Sequence, residues 1–317
     1  MSTTATISRV VLHADDYGMN AAVNQGILQA FREGVLTSTS LLTNAPAAQS
    51  AADLWPALIA DQTAGRISSA GKRRSLCDPA ITFDLGVHLN LTQGRPLTGD
   101  RYPSDLLNDG KFPGIGALFF RINRLRPSLL PAVAAELQAQ IEWMCDRGLS
   151  PKHLNGHQYI EMMPQIAVMI PELLRRYSIL TVRVAHESNL ARSVLKRGRV
   201  AAWGLGLVKQ RFAATFRQQV KGFTFPDQFF GTSHAGQIDQ PTFESFLAGQ
   251  PRVELTEVGI HPALTPIDHC PRSDPWFDPL ANNRANELRW LCDDDLPRYL
   301  ERNKLQLGRL SKGVHSG

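Results

Sequence analysis

Short apolar runs alternate along this chain with stretches whose apolar residues recur every three or four positions. Residues 10–14 (VVLHA) form a buried-strand pattern that stops abruptly at Asp15-Asp16-Tyr17-Gly18. Val23, Ile27 and Phe31 follow at i, i+4 and i+8, with Gly34 placed to end a helix. Residues 37–43 are β-branched and predict a second strand closing on Asn44-Ala45-Pro46, and residues 83–91 predict a third, stopped by Gly94-Arg95-Pro96. Residues 130–147 predict a helix with Val133, Leu137, Ile141 and Met144 on one stripe, ended by Gly148. Beyond it the pattern gives a short strand over 152–157, a helix over 164–177 and a strand over 180–185. A short helix over 241–247, a strand over 252–260 and a helix over 283–296 complete the series, while 61–80 read as loop and 98–127 as an irregular excursion.

Strands alternating with helices predict an α/β fold with a parallel sheet, and no fixed-period repeat supports a solenoid. Asp15 and Asp16, His88 and Asn90, His157, and His261 each fall at or just past the C-terminal end of a predicted strand. In a β/α barrel those ends converge on one mouth, so the polar positions favour a barrel over an open doubly wound sheet.

Composition narrows the class. The chain has 317 residues, 43% hydrophobic and 20% charged, which excludes a disordered polypeptide and suits one large domain or two ordinary ones, with a single catalytic domain spanning 1–317 expected. Cys77, Cys145, Cys270 and Cys292 lie far apart without a CxxC pair, which excludes a zinc knuckle and argues against a disulfide framework. The first residues lack the charged and apolar regions of a signal peptide, and no window reaches the roughly 18 apolar residues of a membrane span. A cytoplasmic protein is expected.

The candidate chemistry gathers at the strand ends. Asp15 and Asp16 repel each other, and neighbours in an extended strand face opposite ways, so both serve one site only if the chain turns there; Gly18 permits a turn. One carboxylate could then hold a metal and the other act as base, or one could cap the following helix. His88 and Asn90 share one face of the third strand, with Val87, Leu89 and Leu91 on the other. His153 and His157 have HxxxH spacing, but Pro151, Asn155 and Gly156 argue against a helix, so one histidine is expected to enter the site and the other to be structural. His261, held by Pro262, suits an acid or base or a capped turn. Jointly, one Asp and two His with open positions equip a divalent-metal site for hydrolysis, with a carboxylate and a histidine to spare.

Ala14 to Gly18, Gly86 to Leu97 (GVHLNLTQGRPL), and His153 to His157 with Pro164 after it resemble the YdjC family of carbohydrate deacetylases, which includes chitooligosaccharide and hopanoid-biosynthesis deacetylases. Residues 257–262 resemble its C-terminal His-Pro segment, so the likeness spans about 9–265. The resemblance implies a distorted (β/α) barrel of the polysaccharide-deacetylase type. It implies a divalent metal, Mg or Zn, held by Asp16, His88 and His157, with Asp15 as base and His261 as acid. Asn44, Asn90 and Arg183 are expected to contact substrate. Gln158 and Glu161 stand where the family often carries further histidines. The expected reaction is removal of an N-acetyl group from an amino sugar, free or lipid-linked; the rival is a non-catalytic carbohydrate- or anion-binding barrel with a decayed metal site.

Charge sharpens the partner question. The formal net charge is +5, yet residues 188–226 alone carry +8 without one acidic residue, so the remainder is −3. That segment is a basic amphipathic insertion, either a helical pair packed on the barrel or a lid meeting a membrane surface at the inner face. No nucleic-acid-binding module is recognisable. A homo-oligomer is expected.

Overall fold

The computed structural model describes residues 8–67, 76, 82–124, 126–187, 200–248, 250–265, 271 and 273–311, with backbone alone for 200–209. Eight parallel strands form one sheet: β1 (Arg9–Tyr17), β2 (Ser38–Leu41), β3 (Asp84–Leu89), β4 (His153–Gly156), β5 (Thr181–Val182), β6 (Gln228–Phe230), β7 (Leu255–Ile260) and β8 (Gln306–Leu307). Their order is β5-β4-β3-β2-β1-β7-β6, and β8 pairs with the start of β1. The β5 and β6 ends curl toward each other: Thr181 bridges to Thr224, and the Phe229 N–H donates to the His186 carbonyl at 3.2 Å. The sheet is thus a distorted barrel, as the strand-end polar residues predict.

Alternation along each strand sorts the side chains into two environments. Val10, Leu12 and Ala14 of β1, Leu85 and Val87 of β3 and Val258 and Ile260 of β7 join the outer core under the helices. Their alternates face inward in layers. Val11, Leu255 and Leu310 form a small apolar cluster of their own at the base. Above it lie His13, Ser38, Asp84, His153 and Glu257, all buried. Gly86 belongs to this layer for a steric reason: a Cβ there would meet the His153 ring at 2.3 Å. The catalytic candidates form the uppermost layer.

Ten helices surround the sheet among the described residues: α1 (Ala21–Arg32), α2 (Ala48–Thr63), α3 (Ile115–Ile122), α4 (Leu130–Cys145), α5 (Pro164–Ala167), α6 (Ile170–Arg176), α7 (Val200–Gln219), α8 (Gln240–Leu247), α9 (Arg284–Cys292) and α10 (Asp295–Arg302). Asn20 caps α1 by accepting from the Val23 N–H at 2.9 Å, and Val23, Ile27 and Phe31 are fully buried, as their spacing predicts. Each such side chain contributes about 1.5–3 kcal/mol relative to exposure.

The differences from the sequence reading have local causes. The helix expected over 164–177 is two helices, because Pro171 removes a donor and starts a new first turn. Helix α2 runs to Thr63, into the stretch read as loop, and its weak apolar periodicity and internal Pro56 hid it. Strand β6 is three residues long, too short to show a period. The excursion over 98–127 contains α3, and the basic segment contributes α7, whose Ala213 and Phe216, with Val220 just beyond it, are buried against the barrel. Residues 188–199, with four of the eight basic side chains, lie outside the described residues. Cys145 and Cys292 are free thiols, and Cys77 and Cys270 also lie outside.

Candidate metal centre and active site

Both carboxylates of the Asp pair do reach one site, but the turn is at Asp16 itself rather than at Gly18. Asp16 adopts φ +70°, and the β1–β2 register shifts between Ala14 and Tyr17, the mark of a bulge. The bulge turns Asp16 to the same side as Asp15. Gly18 is then needed for the exit, since a Cβ there would lie 2.8 Å from the Leu42 carbonyl oxygen.

Asp16, His88 and His157 converge, with one donor atom from each lying within 4.8 Å of the others. Asp16 Oδ1 is 3.0 Å from His157 Nδ1 and 3.4 Å from His88 Nε2. His88 Nδ1 is 2.8 Å from Asn155 Oδ1, an acceptor, so Nδ1 carries the proton and Nε2 keeps its lone pair for the centre. Burial lowers the His88 pKa, but Asp15 and Asp16 outweigh it and hold it above its ordinary value. The cluster therefore favours positive charge at this point. A carboxylate and two imidazoles are a fitting donor set for a divalent cation with open positions.

Asp15 is held differently. Arg183 donates to it through Nη1 at 2.7 Å and Nη2 at 2.9 Å, and Asn155 Nδ2 donates at 3.1 Å. The same guanidinium reaches Glu257 Oε1 through Nε at 2.8 Å. Burial pushes the Asp15 carboxyl up, yet Arg183 foremost holds it well below the usual carboxylate range. His261 Nε2 lies 3.9 Å from Asp15 Oδ2. Burial pulls His261 down to about 4 against the opposing pull of Asp16 and Asp15, so its ring is neutral near pH 7. Its backbone N–H donates to Glu287 at 2.6 Å, which fixes the end of β7.

Sequence reasoning had no signal for Arg284, at the start of α9. Its Nη2 donates to Asp16 Oδ2 at 2.7 Å, and its Nε donates to Asp278 at 2.6 Å. It orients the free oxygen of the ligand carboxylate from 268 residues away, and no local pattern records such a pair. His13, Asn155 and Glu257 did leave a trace: each sits at period two from a site residue on its strand.

Asp15, Asp16, His88, His157, His261 and Arg284 line the floor of a cavity of about 570 Å³. Its upper wall is apolar: Ile115, Phe119 and Phe120 from α3, Phe212 from α7, and Met162 and Met163. Phe119 and Phe212 meet at 5.9 Å, so the two excursions from the barrel meet over the site.

A family profile described as YdjC-like protein matches residues 9–302. The chain belongs to the YdjC-like family. This YdjC-like chain is 32% identical over 302 residues to a carbohydrate deacetylase of Vibrio cholerae serotype O1 (strain ATCC 39541), covering 94% of each chain. It is 30% identical to a carbohydrate deacetylase of Geobacillus stearothermophilus, covering 80% of this chain and 90% of the relative, and 27% identical to one of Mus musculus, covering 94% and 93%. A solved structure from Enterococcus faecalis V583, described as a candidate cellobiose-phosphate cleavage protein, shares the fold with a TM-score of 0.68 at 20% identity, covering 96% of this chain and 97% of that one.

Three residues expected to contact substrate are engaged otherwise in this YdjC-like chain, and none lines the cavity. Arg183 is fully buried and bound to Asp15 and Glu257. Asn90 Oδ1 accepts from the Thr92 and Gln93 N–H groups, an Asx turn that ends β3. Asn44 Nδ2 donates to the carbonyls of Gln93 and Arg95. A polar side chain beside a strand end looks the same in sequence whether it faces ligand or closes a loop.

Proposed function

We propose that this protein is a metal-dependent hydrolase that removes the N-acetyl group from an amino sugar. The observation that carries the reading is the pairing of the Asp16–His88–His157 cluster with a separately anchored Asp15 and His261 at the floor of one cavity. The names of the deacetylase relatives support it. Asp16, His88 and His157 would hold a divalent ion, which would supply Lewis-acid polarisation of the acetyl carbonyl and lower the pKa of a water. Asp15, fixed by Arg183 and Asn155, accepts the proton of the attacking water. His261 is neutral at rest, so its proton comes from Asp15 across the 3.9 Å separation and goes on to the departing amine nitrogen. Arg284 keeps Asp16 from rotating, and the apolar wall excludes bulk water.

The rival reading, a binding barrel with a decayed metal site, is disfavoured by the cluster itself. Gln158 lines the cavity and Glu161 is buried beneath it, and neither displaces one of the three ligands.

The apolar wall favours an amino sugar carrying an apolar group over a free oligosaccharide, with peripheral membrane contact through the excursions that form it. The experiment is acetate release from N-acetylated amino sugars, free and lipid-linked, after metal stripping and reloading with magnesium or zinc. Zinc is expected to bind more tightly, in keeping with the order of divalent affinities at N/O sites. Acetate release that is the same without any divalent ion sinks the mechanism.

A further inference from the structure

The turn after His157 is built in a costly way. Gln158 and Tyr159 adopt the left-handed conformation in succession, at φ 55°, ψ 24° and φ 64°, ψ 34°. That region is strained for any side chain with a Cβ, and strain of this kind persists only where the surroundings enforce it.

Two contacts enforce it here. Beneath the turn, Glu161 folds back under Gly156 so closely that a Cβ on Gly156 would lie 2.3 Å from Glu161 Oε2. Glu161 is fully buried, neither carboxyl oxygen has a hydrogen-bond partner, and burial pushes its pKa up to about 8, so it fills the space as a neutral group. At the side, the Tyr159 ring packs edge-on against Phe229 at 5.9 Å. The Arg183 guanidinium lies over the Phe229 ring, 4.9 Å from its centroid, and Arg183 holds Asp15. The turn is therefore braced against the same column that fixes the base.

The bracing places two side chains in the cavity wall directly beside the ligand His157. Gln158 is exposed and Tyr159 half-buried, and both line the cavity. Gln158 offers an amide donor and acceptor with no protein partner among the described residues. The wall formed by α3, α7 and the two methionines is apolar, so it cannot satisfy the hydroxyl edge of a pyranose. A pyranose presents an apolar ring face and a polar rim, the complement of an aromatic face beside an amide.

We infer that Gln158 and Tyr159 are the sugar-reading residues of this site: the Tyr159 ring supports the face of the pyranose, and the Gln158 amide bonds its hydroxyls. The inference rests on the deacetylase reading and names which side of the cavity receives the sugar.

The test uses the full chain loaded with zinc and the methyl glycoside of an N-acetylated hexosamine as probe. Titration calorimetry gives zinc and glycoside affinities, and acetate release gives KM and kcat. Tyr159→Ala and Gln158→Ala are each expected to weaken glycoside binding about fivefold to tenfold, with the loss falling on KM more than on kcat. Zinc affinity stays within about twofold, and Tyr159→Phe, which keeps the ring, restores most of the glycoside affinity. Tyr159→Phe and Gln158→Ala keep the test decisive if Tyr159→Ala does not fold. Wild-type glycoside affinity in both alanine variants overturns the inference, as does loss of zinc affinity with KM unchanged, since the turn would then serve only to orient His157. A wild-type protein that binds zinc but releases acetate from neither the glycoside nor a lipid-linked N-acetylated amino sugar overturns the deacetylase reading, and this inference falls with it.

Discussion

Strand β4 starts at one histidine, His153, and a second, His157, follows directly after its last residue; two layers of the barrel use them in opposite ways. His153 Nδ1 lies 3.2 Å from Asp84, and His157 Nδ1 lies 3.0 Å from Asp16. The pairs have the same chemistry, nearly the same length and comparable burial. At the floor, Asp84 accepts from the backbone N–H and hydroxyl of Ser311, both at 2.9 Å, and the pair is sealed under the site. At the mouth, His88 brings a third donor, and the cluster faces a cavity. A His–Asp pair is thus not a site in itself. A third converging donor and access to solvent make it one.

The largest effect expected at the mouth falls on Asp15, the proposed base. Asp15→Asn is expected to lower turnover by about a thousandfold or more while the chain still binds one divalent ion, measured by acetate release and elemental analysis. Near-normal turnover removes Asp15 from its role. Next comes the histidine comparison itself. His157→Ala is expected to weaken zinc binding by well over a hundredfold, whereas His153→Ala keeps zinc bound and loses about 1–3 kcal/mol of stability. Equal zinc loss in the two variants would erase the distinction between the ends of the barrel.

The acid limb of stability separates them further. Asp84 titrates at about 2, below its unfolded value of 3.8; burial opposes the shift, but His153 and the Ser311 hydrogen bonds outweigh it. Because the folded pKa is the lower one, the contribution is present in full above about pH 4 and is lost as pH falls toward 2. It amounts to about 2 kcal/mol. Denaturant melts from pH 5 to 2 should show that loss in the wild type and a flatter profile in Asp84→Asn. The smallest effect is expected at the rim: Phe120 is 61% exposed, and Phe120→Ser should shift stability by no more than about 0.5 kcal/mol. In acetate-release assays the same change should lower the preference for a lipid-linked over a free sugar.

Much of the site was legible because most of its residues lie on strands or directly past their ends, where period two is a local property. His88 shows it with Asn90, His153 with Asn155 and His157, and the Asp pair shows it by violating it. The period did not distinguish Asn90, which closes an Asx turn, from a residue facing ligand. Arg183 falls in the stretch read as strand, but β5 ends at Val182, and its partnership with Asp15 left no trace, because a buried cation among carboxylates is defined by segments far apart in the chain. Helices α2 and α3 were missed where apolar periodicity is weak or where Gly and Pro crowd the sequence.

The alternation of the motif-bearing strands with helices, the inward face of those strands and the four motif segments follow from residue type and spacing, since these are local and follow from backbone geometry. Only the tertiary structure decided that the bend comes at Asp16 and that Arg183 and Arg284 divide the two aspartates between them. It also decided that two irregular excursions wall the cavity with aromatic rings. Each of those outcomes depends on which distant side chains the curled sheet brings within a few ångströms, and no short stretch of chain carries that information.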